Sequence, residues 1–434
     1  MQRLMIPNAI IAGLIVLICS YGFGIMTVSA AQLETVVYHL LTGIFILIGL
    51  KAPRPEGRAI LTTTMMISLG YALLALVGCL FTLGWVGALF PNFFPSFSML
   101  PLLGFGFDHV TAAMVGWQWE QAGFAGGSHA GFSFGVMGLL WAYLGGVLLV
   151  LWNRLRQGEK GMHPRPEARE GIISREKEKE AGAFITTAPE ALESLALHLA
   201  LVGLLYLLVF SFMSQLSAWL GRFGEAGELL GEVLWSYNFL FGLVLGKLGR
   251  IIIDWLGVGH LFDSATMKRI SGAMVDYMIA AAIAAIPLLI YADYWPEVVI
   301  LSLISGAAVV LFLHFASRRM YRRHHLARNA AAFGYLTGTI ASGLALLRMV
   351  DPELDTPVAE ELAWAGGLSL LVGFPLFLLM NYPLYGFAAG MPLRYLAITA
   401  AACAVYGILI FLAWFLLNRF AGIKGKEAQA GAGR

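Results

Sequence analysis

Gly104-Phe-Gly-Phe-Asp-His-Val-Thr-Ala-Ala113 and Phe333-Gly-Tyr-Leu-Thr-Gly-Thr-Ile-Ala-Ser342 decide how this chain is read. Both lie in hydrophobic surroundings, yet both hold too much glycine and too many polar side chains for ordinary membrane-crossing helices. With Gly106 laid on Gly334, Thr111 falls on Thr339, and each segment takes the same place in its half of the chain. Interrupted hydrophobic segments in corresponding positions point to the binding site of a secondary transporter.

The rest of the composition agrees. Hydrophobic residues make up 59% and charged residues 12%, and the mean hydropathy is +0.78. Such values belong to a polytopic membrane protein with no separate soluble domain. The net charge of +2 says nothing of nucleic acid, because the basic residues form short clusters between apolar runs and no continuous face. Cys19, Cys79 and Cys403 sit in apolar stretches without CxxC or Cys/His spacing, so they read as small core or lipid-facing residues. The first apolar run follows only Arg3 and has no small-residue cleavage site, so it is expected to remain as a span.

A membrane-crossing helix needs roughly 20 mostly apolar residues. Stretches of that kind run from Pro7 to Thr27, Leu33 to Leu50, Ala59 to Leu83, His129 to Trp152, Ala191 to Leu220, Leu229 to Leu248, Ile270 to Tyr291, Val298 to Ser317, Val358 to Met380 and Tyr395 to Leu417. The two Gly/Thr segments are outside this set. Short cytoplasmic loops carry excess Lys and Arg. The basic clusters are Lys51/Arg54/Arg58, Arg154 through Lys179, Lys247/Arg250 with Lys268/Arg269, Arg318 through Arg328, and Arg419/Lys424/Lys426. All of them face one side only if neither Gly/Thr segment crosses. Each segment is then a re-entrant hairpin, the first entered from outside and the second from the cytoplasm. Pro91, Pro95 and Pro101, and Pro352 and Pro357, suit such turns.

The expected fold is therefore an all-α membrane protein of about ten transmembrane helices plus two re-entrant hairpins, in two inverted-topology repeats. Residues 1–153 form the first repeat, with its hairpin near 92–125. A cytoplasmic linker of mixed charge covers 154–190 and a fifth span 191–220. The second repeat covers 221–419, with its hairpin near 329–356, and 420–434 is a cytoplasmic tail, which puts both termini in the cytoplasm.

Broken backbone at membrane depth must be buried in protein or line a cavity. The freed N–H groups of a half-helix suit a carboxylate, and freed carbonyls with hydroxyls suit a hard cation such as sodium. Gly106, His109, Thr111, Thr337, Gly338, Thr339 and Ser342 are the substrate-binding candidates at the segments themselves. Small residues at such places also serve close helix packing. Ionisable groups near membrane depth are functional candidates by default. Asp108 and Asp276, with Thr111 and Thr339, are candidates for a sodium site. Asp108 also reads as a cap at the hairpin mouth, and Asp276 as a partner of Lys268 or Arg269. His109 reads as a substrate contact, a proton relay or a structural loop residue. His129, opening a span after Ser128, is a neighbour of the hairpin. Arg348 offers a fork for a carboxylate or pairs with Asp351 or Glu353. Glu120 beside Trp117 and Trp119, and Asn381, read as interfacial groups. His198, His314, His324 and His325 show no ligand spacing. With no HExxH and no cluster of metal ligands, the chain does not read as an enzyme and needs no cofactor.

The run Phe105-Gly-Phe-Asp-His-Val-Thr-Ala-Ala113, with Trp119-Glu-Gln-Ala-Gly123 and Gly131-Phe-Ser-Phe-Gly-Val-Met-Gly138, resembles the first hairpin and next helix of the bacterial sodium/glutamate symporter family. Phe333 through Gly343, with Leu346-Leu-Arg-Met-Val-Asp-Pro-Glu353, is similar to the second hairpin of its divergent members. The likeness extends over nearly the whole chain, including Arg269-Ile-Ser-Gly272 before Asp276. It implies a bacterial inner-membrane homodimer in which a transport domain carries glutamate, or a similar small anionic amino acid, with sodium as coupling ion past a fixed scaffold. Better-known members have Gly-Gly-His-Gly-Thr where this chain has Phe105-Gly-Phe-Asp-His109, which locates its own specificity at Asp108 and His109. The alternative is a proton-coupled carboxylate carrier of the same fold, in which Asp108 and His109 titrate. The partners expected are the solute, sodium, the lipid bilayer and a second copy of the chain, and no nucleic acid.

Overall fold

The computed structural model describes residues 8–23, 28–51, 57–88, 93–157, 184–187, 192–286, 294–321 and 323–431. Every regular element among them is helical. In order these are α1 (Asn8–Phe23), α2 (Ala30–Lys51), α3 (Gly57–Ala88), α4 (Leu100–Gly106), α5 (His109–Glu120), α6 (Gly127–Leu140) and α7 (Gly146–Gln157). There follow α8 (Ser194–Leu220), α9 (Glu225–Ser236), α10 (Asn238–Trp255), α11 (Ser264–Ala284) and α12 (Trp295–Met320). The last are α13 (His325–Thr337), α14 (Ile340–Val350), α15 (Val358–Leu379), α16 (Tyr382–Ala388) and α17 (Pro392–Gly431). A 3-10 turn at Pro95–Met99 precedes α4, and a π-helical turn at Trp141–Gly145 joins α6 to α7. Most of the linker expected over 154–190 lies outside the described residues, as do Arg54, Pro91 and Arg322.

Seven helices among the described residues are long and apolar enough to cross a membrane, or eight if the bent pair α9 and α10 is one span. The seven are α2, α3, the rod α6–α7, α8, α12, α15 with α16, and α17. The chain is thus a multi-pass membrane protein. One of the ten expected spans comes out differently. The stretch expected as one helix from Leu229 to Leu248 bends by 65° between Ser236 and Asn238. Of the first expected span, α1 covers Asn8–Phe23, and both ends of that span lie outside the described residues. The seventh, Ile270 to Tyr291, begins within α11, and its end lies outside them as well.

Glycine sets how closely these helices approach, because a residue without Cβ lets two backbones touch. Gly242 of α10 faces Thr42 of α2, and Gly246 faces Ile46, so the two helices run parallel. Gly116 meets Gly127, Gly131 meets Ala112, and Gly135 meets His109, so α5 and α6 run antiparallel along one seam. Cys79 and Cys403 are buried, and all three cysteines are free thiols.

Ion pairs bring Lys247, Lys268 and Arg328, from two of the basic clusters, to one end of the bundle. Lys247 in the middle of α10 pairs with Glu360, and Arg328 holds Glu361 through Nε and Nη2, each at 2.8 Å. Lys268 at the start of α11 reaches Glu353 at 3.2 Å and Asp355 at 2.7 Å. The Thr63 and Tyr321 hydroxyls, 2.7 Å apart, bring the start of α3 and the end of α12 to the same end. Sequence reading missed Glu360 and Glu361, although two adjacent carboxylates opening an apolar helix are themselves a signal. Both are 1% exposed, and burial of that kind requires a partner.

Candidate functional site

Both Gly/Thr segments are broken helices with matching backbone paths. At the first, α4 ends on Phe107 (φ −115°, ψ −87°) and Asp108 is extended (φ −170°, ψ 171°) before α5 starts. At the second, α13 ends on Gly338 (φ −153°, ψ −106°) and Thr339 is extended (φ −139°, ψ 175°) before α14. In each case the extended residue is the N-cap. Asp108 accepts hydrogen bonds from the Thr111 amide at 2.7 Å and the Thr111 hydroxyl at 2.8 Å. The Thr339 amide donates to Ser342 Oγ at 2.8 Å. A capping side chain three residues from its partner satisfies donors that the first turn leaves free.

Cap therefore matches cap, and the internal alignment moves. Asp108 corresponds to Thr339, and Thr111 corresponds to Ser342, not to Thr339 as the glycine match suggests. The shift is three residues, close to one helical turn. Small and hydroxyl residues recur on the same face at that spacing, which is why the sequence alone favours the wrong register.

Each break is the tip of a hairpin. The first hairpin returns to where it began: Phe94 stacks on Phe124 with ring centres 4.5 Å apart, and the Phe124 amide bonds the Trp119 carbonyl at 3.0 Å. Its arms close on α6 more than on each other, through the α5–α6 seam and through Gly104 against Gly135. The second closes on itself, since a Cβ on Gly334 would stand 2.6 Å from the Ser342 carbonyl and one on Gly343 2.9 Å from that of Ala331. The Arg328–Glu361 pair ties its open end to α15.

The two hairpins reach the rod α6–α7 from opposite ends. Moving away from the first tip, His109, Ala112 and Gly116 meet Gly135, Gly131 and Gly127, toward the start of α6. Moving away from the second, Gly338 lies against Ala142 and Leu346 against Gly146, toward the end of α7. They converge on Gly138, where a Cβ would stand 2.6 Å from the Thr337 carbonyl and 3.2 Å from that of Gly104. The π-helical turn begins three residues later, and such turns inside helices frequently mark functional sites.

The tips differ in chemistry. Thr337 and Ser342 are fully buried and bonded within their own hairpin, Thr337 to the Phe333 carbonyl and Ser342 to that of Gly334, each at 2.8 Å. Asp108, His109 and Thr111 remain partly exposed. His109 Nε2 lies 3.0 Å from Glu34 Oε1 of α2, a contact that sequence reading did not anticipate. Phe107 is stacked on Tyr71, and the Tyr335 hydroxyl interacts with those of Tyr71, Tyr237 and Ser369. These tyrosines were also missed. They come from three separate stretches of chain, and no local spacing betrays them.

The remaining candidates are elsewhere. Arg348 lies in the last turn of α14, away from the tip, over Gly272; its Nη2 pairs with Asp276 at 2.9 Å, so neither residue takes the partner expected from its neighbours in sequence. His129 is exposed at the start of α6, on the rim. Beside it Glu120 accepts from the Ser128 amide at 2.9 Å and hydroxyl at 2.6 Å. Trp119 is buried and donates to Asn381 at 2.8 Å. His198 links Ser194 to the start of α11, with Nε2 accepting from the Asp263 amide at 2.8 Å. No group of metal-binding side chains occurs among the described residues. Comparison with family models, curated proteins and solved structures found no match.

Proposed function

We propose that the chain is a secondary active transporter that carries a small amino acid, of the glutamate type, together with sodium by alternating access. The observation that carries this reading is the meeting of two oppositely directed helix hairpins at Gly138, with a polar tip on each. Half-helix ends at such a place offer donors to a carboxylate and oxygens to a cation. Asp108 and Thr111 supply a carboxylate and a hydroxyl for sodium, with Thr339 the nearest counterpart on the second tip. The position of Lys247, Lys268 and Arg328 at one end supports that end as cytoplasmic. A homodimer with an elevator-like motion of the hairpins is part of the proposal. So is placement in a bacterial inner membrane, both resting on the family likeness of the sequence.

Uptake of acidic amino acids by the purified protein in sealed vesicles tests it. Uptake is expected to collapse when sodium is replaced by potassium or choline at constant pH; uptake indifferent to that exchange sinks sodium coupling. Thr111→Val and Thr339→Val are each expected to weaken sodium activation. One observation favours a second reading. The contact of His109 with Glu34 provides titratable groups beside the first tip, as a proton-coupled carboxylate carrier requires. A pH jump without a sodium gradient separates the two.

A further inference from the structure

Six residues close a ring beside the first tip. Glu34 contacts His109 at 3.0 Å. Tyr38, one turn after Glu34 on α2, donates from its hydroxyl to the Trp235 carbonyl at 3.1 Å, beside the bend that carries Tyr237 and Asn238. Asn238 follows Tyr237 in that bend before α10, and Tyr237 lies within electrostatic reach of Asp108. Asp108 precedes His109, and the circuit is complete. It joins α2, the α9–α10 bend and the first hairpin, none of which is adjacent in sequence to another.

The ring has more acceptors than donors. Asn238 is 3% exposed, and its Oδ1 has no hydrogen-bond partner. His109 Nδ1 is likewise buried without one. His109 engages one oxygen of Glu34, and the other has no partner among the described residues. No lysine or arginine pairs with Glu34 or Asp108 among those residues, and Arg348 is committed to Asp276. The ring holds two carboxylates and one imidazole. A primary ammonium group answers this pattern, because it brings a positive charge and three N–H donors.

We propose that this ring binds the primary ammonium of the solute and that Glu34 is the specificity-determining residue. The proposal rests on the carrier reading and assigns the amino end of its solute to α2, at Glu34. Asp108, with both oxygens already held by Thr111, remains on the sodium side of the site. Glu34 stands across from it on α2.

The test is thermal denaturation of the purified full chain with common α-amino acids, each beside its N-acetylated and its deaminated counterpart, with and without sodium. At least one amino acid is expected to raise the midpoint, with both counterparts weaker by roughly a hundredfold or more, since a site built around an N–H donor rejects analogues lacking it. Glu34→Gln is expected to erase most of that discrimination while leaving the sodium-induced shift intact; Glu34→Asp, which keeps the charge, preserves part of it. The midpoint without solute reports whether each variant folds. Equal binding of the deaminated counterparts overturns the ammonium site, as does full discrimination in Glu34→Gln or the absence of a shift with every amino compound. Sodium-driven accumulation in which Glu34→Gln keeps the parent's full preference for the amino acid breaks this proposal alone. Tight binding of amino compounds without any gradient-driven accumulation breaks the carrier reading alone.

Discussion

The two hairpins have nearly the same backbone at the tip and opposite ways of satisfying it. The second is a closed unit. Its hydroxyls bond its own carbonyls, its arms touch through Gly334 and Gly343, and a buried, two-bonded Arg328–Glu361 pair ties its open end to α15. The first leans outward. Its arms close on α6, and its cap is a carboxylate. Its next residue reaches Glu34 on α2. The second hairpin spends its polar groups internally, whereas the first points them at another element, as the proposed recognition site requires.

Breaking the clamp is the severest challenge to this contrast. Arg328→Met or Glu361→Gln alone is expected to cost about 3–5 kcal/mol, because a charge is left buried without its partner. The double change to Met at both positions is expected to recover much of that loss, read as the unfolding midpoint in detergent. If both single variants unfold like the parent, the second hairpin is not held at its open end.

Next come the glycines at close approach. Gly334→Ala is expected to lose about 1–3 kcal/mol through overpacking against Ser342. Gly135→Ala acts the same way against His109, but it moves the recognition tip and is expected to reduce solute affinity more than Gly334→Ala does. Binding constants beside midpoints check the order.

The caps sharpen the comparison further. Asp108→Ala is expected to cost about 1 kcal/mol through loss of the cap, and Asp108→Asn only part of that, since Asn also caps well. Both are expected to lose sodium activation. Thr339→Ala is expected to show a similar stability cost with a smaller effect on solute binding; equal binding losses at the two tips remove the functional asymmetry.

The smallest effect is expected at the surface. Lys268→Ala, which breaks exposed pairs with Glu353 and Asp355, is expected to shift stability by under about 1 kcal/mol, as solvent-exposed pairs usually do. A loss as large as that for Arg328→Met contradicts the distinction drawn here between buried clamp and screened rim.

Much of the architecture was legible in the chain because apolar length and glycine placement are local properties. The breaks at 107–108 and 338–339 fall inside the two Gly/Thr segments, and Asp108 caps as one of its expected readings. The register between the halves was not legible, since a shift of three residues keeps the same helix face. The partners of charged groups were also hidden. Arg348 sits near Asp351 and Glu353 in sequence but finds Asp276, on α11, across an interhelical contact. Glu34 looked like any acid near the start of an apolar helix until His109 was folded against it.

The order of residues thus determined the membrane class, the places where helices must break and the side chains able to cap them, because each follows from hydropathy and backbone freedom within a few residues. Tertiary structure decided which tip is closed and which is open. It also decided that the tips meet at Gly138, and that Glu34 lies against His109. Those are facts of packing between segments far apart in the chain, where close approach and the pairing of buried charge select among arrangements that local chemistry leaves equal.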